Sequence, residues 1–189
     1  MCVVETMSTP TRLPAQLQYA MRCAARCDLA ITSAEWLAAF HYEENWSDGV
    51  RMAKYDNGAG DHVIAFFTDD GKALIKGFDH ESAVSPYARE TYGVWPGMYD
   101  GMPPELLRLL HDEASEFEHV TFCYWSVDGQ SWASGNARIP DDLDDGSTWL
   151  LSMISLNAEA FTEWAKNYYG EEFDLIGESG IAAVFNSSH

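Results

Sequence analysis

The chain has 189 residues, with 30 Asp and Glu set against 11 Lys and Arg, and a net charge of −19 at pH 7. Such a surface repels phosphate backbones, which excludes nucleic-acid binding through a basic face, whereas a basic protein is attracted and steered. Aromatic residues make up 13% of the chain, which suits a packed core rather than a disordered acidic tail.

The length fits one domain, and a chain of this size buries roughly 70% of its unfolded surface without staples. We expect a flexible tail over residues 1–12 and a single α+β domain over 13–189. The start of the chain lacks a basic segment followed by an apolar run and a small-residue cleavage site. No apolar run reaches the ~18 residues of a membrane span.

Pro14 to Cys27 has an apolar stripe at helical spacing, with Pro14 suited to a first turn. Thr32-Ser33-Ala34-Glu35 has the form of a capping box, and Ile31 with Trp36 is placed as a hydrophobic staple. A helix is therefore expected to run to about Tyr42, with His41 on its apolar stripe as a hydrogen-bonded core histidine.

Val50 to Tyr55, His62 to Thr68 and Lys72 to Phe78 read as three antiparallel strands. Asn57-Gly58-Ala59-Gly60 and Asp69-Asp70-Gly71 supply turn chemistry between them. In the middle strand Val63, Ala65 and Phe67 point one way and Ile64 and Phe66 the other, so it is central and covered on both faces. The flanking strands mix Arg51, Lys54, Lys72 and Lys76 with apolar residues and read as half-solvated.

Asp79-His80-Glu81-Ser82 leaves the third strand as a loop rich in ionisable groups. A carboxylate–imidazole–carboxylate set suits acid–base work or a metal, but residues of these types in a loop more often form a capped, solvated turn. The next loop spreads Tyr92, Trp95 and Tyr99 among Gly and Pro. It reads either as a stacking platform or as a loop pinned by its rings.

Pro103-Pro104 opens a short helix with Glu105 in its first turn. Val120 to Val127 is a second strand apolar on both faces, paired with Ser131 to Ser134. Pro140 to Gly146 carries Asp141, Asp142, Asp144 and Asp145, without the glycine and distal Glu of an EF-hand loop. Ser147 caps a helix from Trp149 to Leu156, although the alternation of Trp149, Leu151 and Met153 also allows a strand. Asn157 caps another through Tyr168, which Gly170 ends, and Ile181 to Phe185 reads as a last strand.

The four cysteines, Cys2, Cys23, Cys27 and Cys123, lack a second pair or a His pair at zinc spacing. They read as buried reduced thiols in a cytoplasmic protein that needs no cofactor. No phosphate loop, nucleophile elbow, HExxH or CxxC pair is present.

The fold class expected is α+β, an antiparallel meander packed by several helices. The function expected is an acidic module that binds a basic protein, concretely an immunity protein that neutralises a bacterial toxin domain. Its contacts would come from Asp141, Asp142, Asp144 and Asp145, with Asp79 and Glu81 as a second group. The alternative is a hydrolase that uses Asp79, His80 and Glu81, with or without a metal. A nucleic-acid mimic needs acids along one elongated face, whereas here they cluster in loops.

Overall fold

A computed structural model describes residues 9–32 and 34–187. Most of the expected tail, Cys2 and the capping-box Ser33 lie outside the described residues. Helix α1 spans Pro14–Ile31, one turn longer than its pattern suggested. Leu17, Met21, Ala24, Cys27 and Ile31 recur at helical spacing and are all buried.

The helix expected over 32–42 does not form. A single 3-10 turn covers Glu35–Leu37, and strand β1 begins at Phe40 and runs to Ser47. Two local interactions redirect the chain. Buried Asp28, near the end of α1, accepts hydrogen bonds on Oδ2 from the Ala39 and Phe40 amides at 2.9 and 2.7 Å. Asp48-Gly49, with Gly49 at φ 68°, then closes a hairpin between β1 and β2. His41 is exposed on the strand, facing away from the side that buries Phe40, so it is not a core histidine.

Strands β2 (Val50–Asp56), β3 (His62–Thr68) and β4 (Ala73–Phe78) form the expected meander. With β5 (Phe122–Ser126) and the two-residue β6 (Ala133–Ser134) they complete a six-stranded antiparallel sheet in sequence order. The fold class is α+β.

One face of the sheet carries Phe40, Ala53, Tyr55, Val63, Ala65, Phe67, Ile75, Phe122 and Tyr124. It is packed by α1, by α3 (Ser147–Ile154), by α4 (Ala158–Tyr169) and by α5 (Gly177–Asn186). Residues 181–185 are thus helical, not a strand. Ile181 is fully buried, and the Tyr19 hydroxyl donates to the Phe185 carbonyl at 2.7 Å. Gly77 sits opposite Phe122 on this face, and a Cβ there would lie 2.0 Å from the Phe122 ring.

The other face carries Ile64, Phe66, Leu74, Cys123 and Trp125. Its cover is irregular chain from Val84 to Val120, with the short α2 (Pro104–Leu107) and three 3-10 turns, Pro86–Ala88, Arg108–His111 and Glu113–Ser115. Lys76, expected to be half-solvated, lies on this face and is fully buried. Its ammonium donates to the backbone carbonyls of Glu116 and His119. The sheet thereby supplies donors that the loop cover cannot supply for itself. Cys23, Cys27 and Cys123 are buried free thiols, and burial raises each thiol's pKa. No helix among the described residues is long and apolar enough to cross a membrane.

Candidate functional site

The register brings Asp56, His62 and Phe78 side by side across β2, β3 and β4, at one end of the loop-covered face. Three loops meet at this end. The first is the β2–β3 turn. Asn57 Oδ1 accepts from the amides of Ala59 and Asp61, and Asn57 Nδ2 donates to Asp61 Oδ2 at 2.7 Å. These bonds fix the carboxylate of Asp61, which is 7% exposed.

The second is the Asp79–Ser82 loop. The His80 amide donates to Asp61 Oδ1 at 2.9 Å, and His80 Nδ1 lies 2.6 Å from the same oxygen. Burial pushes the Asp61 carboxyl up, but the bonds from His80 and Asn57 outweigh it and hold the group below its usual range. The same contact raises the His80 imidazole. The carboxylate that orients His80 is therefore Asp61, which was not among the residues singled out in the sequence. Glu81 is exposed, and its carboxylate lies 3.9 Å from His80 Nε2.

Asp79 does not share in this pair. Its Oδ2 accepts from Trp149 Nε1 at 2.9 Å and its Oδ1 from the Glu81 amide at 3.0 Å. Ligand atoms of Asp61, Asp79 and His80 lie within 4.8 Å of one another, close enough for a small cation. Each carboxylate oxygen that accepts a single bond keeps a free lone pair, but His80 Nδ1 is committed to Asp61 Oδ1, so a cation on that nitrogen would have to displace the pair.

The third loop is Pro140–Gly146, and it is stitched to the second. Ser82 Oγ donates to the Asp144 carbonyl and Thr121 Oγ1 to the Asp145 carbonyl, both at 2.6 Å. Gly146, at φ 77°, packs so tightly on Asp79 that a Cβ would come within 2.5 Å of the Asp79 Cβ. Asp141, Asp142 and Asp144 are exposed, whereas Asp145 turns inward. Its carboxylate closes a turn onto the Ser147 amide at 2.9 Å, and burial raises its pKa. Asp145 thus starts α3 instead of meeting solvent, which removes it from the expected contact set.

A pocket of about 340 Å³ opens beside the first two of these loops, with Asp56, His62, Phe78, Tyr87, Glu116 and His119 among its walls. His119 stacks on Phe78, with ring centres 4.9 Å apart. Its Nδ1 lies 2.7 Å from Glu116 Oε2 and its Nε2 2.8 Å from the Tyr87 hydroxyl. Glu116 has φ 47°, the only positive φ at a non-glycine among the described residues. The Lys76 ammonium holds that strained backbone by its carbonyl. Glu116, His119, His62 and Tyr87 escaped the sequence reading because they converge from three separate segments. The available signal was a lone Lys in an apolar strand, at position 76, and imidazoles near strand ends at 62 and 119.

Of the aromatic loop, Tyr99 is pinned by its hydroxyl to the Phe117 carbonyl at 2.8 Å. Trp95 packs against the core with the Arg89 guanidinium over its ring, and Tyr92 is half exposed beside Tyr87. No protein-family model, curated protein or solved structure matches the chain.

Proposed function

We propose that the chain is an acidic binding module for a basic protein, and concretely an immunity protein that covers the active site of a toxin domain. The observation that carries this reading is the convergence of the two candidate acidic loops. Asp79 and Glu81 on one loop, and Asp141, Asp142 and Asp144 on the other, are tied to one end of the sheet by the Ser82–Asp144 bond. Asp56, Asp61 and Glu116 stand at the same end. A concentrated negative field accelerates encounter with a basic surface and fixes its orientation.

The test is capture of a basic partner from the native lysate at low and then moderate salt. The chain carrying Asp141→Asn, Asp142→Asn and Asp144→Asn is compared with the unaltered one. A partner released by salt, and associating more slowly with the variant, supports the reading. Capture that is indifferent to both salt and the substitutions sinks it.

A second reading is favoured by the Asp61–His80 pair. A buried carboxylate on Nδ1 leaves Nε2 turned outward, the arrangement of a general base that activates water for hydrolysis. Hydrolysis of ester or glycoside substrates that disappears with His80→Ala and falls steeply with Asp61→Asn supports it. Activity that survives His80→Ala rules it out.

A further inference from the structure

His62 is 5% exposed, and its Nε2 has no hydrogen-bond partner among the described residues. Burial lowers the imidazole to about 4, so the ring is neutral at pH 7. That nitrogen lies 3.8 Å from Glu116 Oε2, beyond hydrogen-bond reach. A buried polar atom without a partner is rare in a native protein and calls for an explanation. The His62 side chain that carries it lines the open pocket.

The walls define what fits. None of the lining residues is Lys or Arg, and the carboxylates of Asp56 and Glu116 are among them. The nearby Lys54 ammonium, 3.0 Å from Asp56 Oδ2 and 3.7 Å from Glu116 Oε1, stays outside the lining. Glu116 Oε2 retains acceptor capacity beyond its contact with His119. Flat rings stand beside these acceptors: His119, and Tyr87 at 61% exposure. A pocket with acceptors on one side and ring faces on another suits a planar cation with several N–H donors. A guanidinium meets that description better than a compact ammonium, because its fork reaches two acceptors while its plane stacks.

We propose that this pocket is the anchor point for the partner and takes one arginine guanidinium, with Glu116 and His62 as acceptors and His119 and Tyr87 as the stacking surface. The proposal rests on the binding-module reading and names the side chain that module receives. The backbone strain at Glu116 then has a use, since it aims the carboxylate at the ligand before the ligand arrives.

The experiment titrates the full chain with N-acetyl-L-arginine amide and follows the His62 and His119 side-chain resonances. N-acetyl-L-lysine amide and N-acetyl-L-citrulline amide serve as comparisons. Saturable shifts with the arginine probe are expected, weaker by about tenfold with Glu116→Gln or with the lysine probe. None are expected with neutral citrulline. Tyr87→Ala, at an exposed side chain, tests the stacking surface without threatening the fold, and it too should weaken the response. Equal responses to all three probes, no saturable shift, or a response unchanged in both variants overturns the proposal. The two readings fail separately. A basic partner captured equally well by Glu116→Gln and Tyr87→Ala chains removes the pocket from the interface and leaves the acidic loops. Probe binding with no salt-sensitive partner keeps the pocket and removes the module.

Discussion

The two faces of the sheet solve the same burial problem by different means. On one face, α1, α3, α4 and α5 bring backbones that are already hydrogen-bonded, so the sheet offers them mainly apolar side chains. On the other, the cover is irregular chain whose carbonyls need donors, and the sheet answers with a fully buried Lys76. The polar machinery follows from that difference. Lys76 holds Glu116 and His119, His119 holds Tyr87, and the gap beneath them is the pocket.

The sharpest way to break this comparison is Lys76→Met. It fills the space but leaves the Glu116 and His119 carbonyls without their donors. We expect a loss of about 3 kcal/mol in urea unfolding. Amide exchange should accelerate over residues 108–120 while the amides of α1 and α4 keep their protection. Equal loosening of both faces would contradict the comparison. Burial pushes the Lys76 ammonium down to about 7, whereas an unfolded lysine holds its proton to about 10.4. Between those values the unfolded chain binds more protons than the folded one, so this group's contribution to stability rises with pH. Wild type should gain on Lys76→Met as pH climbs from about 7 to about 10, and a flat difference removes the titration from the account.

On the helical face, Gly77→Ala drives a methyl group into the Phe122 ring. A loss of about 2–3 kcal/mol is expected, and Phe122→Leu in the same chain should restore part of it. Strict additivity of the two substitutions in a double-mutant cycle would place the clash elsewhere.

Asp28 comes next. Asp28→Ala strips the Ala39 and Phe40 amides of their acceptor and should lose about 2 kcal/mol, while Asp28→Asn keeps an acceptor and loses much less. Burial raises the Asp28 carboxyl to about 7, against about 3.9 unfolded. The folded chain therefore holds a proton that the unfolded chain releases, and this contribution declines as pH rises through about 4 to 7. Wild type should lose ground to Asp28→Asn between about pH 4 and pH 7 and hold level above that, as read by thermal unfolding at each pH.

The smallest effect belongs to Asp141→Asn with Asp142→Asn. Both side chains are exposed, so stability should stay within about 0.5 kcal/mol while association with a basic partner slows at low salt.

The meander was legible because period-two alternation and Asn-Gly or Asp-Gly turns are local signals. Val63, Ala65 and Phe67 face the helices and Ile64 and Phe66 the loops, as the alternation implied. Residues 32–42 misled because a capping pattern is also local, whereas what decides their course is Asp28 and the pairing of β1 with β2. Residues 181–185 of the helix at 177–186 read as a strand because Ile181, Val184 and Phe185 suit either form, and packing on α1 and α4 decides between them. The site was half legible. The acidic loops stood out by composition, but Asp61 meets His80 only through the turn at 57–61, and Glu116 is aimed by Lys76 from another strand. Contacts of that kind leave no spacing to detect.

The seating of α5 on α1, marked by Tyr19 and Phe185, also bears on synthesis. By the time Ser126 has left the ribosome, strands β1 to β5 can already pair with their neighbours in sequence. Their helix-side surface, with Phe40, Phe67 and Phe122, stays uncovered by α3, α4 and α5 until residues 147–186 follow. At cellular elongation rates that interval is on the order of several seconds. Through it the nascent chain displays an apolar sheet to chaperones and to its neighbours on the same message, so crowded translation is where this protein is most exposed to aggregation.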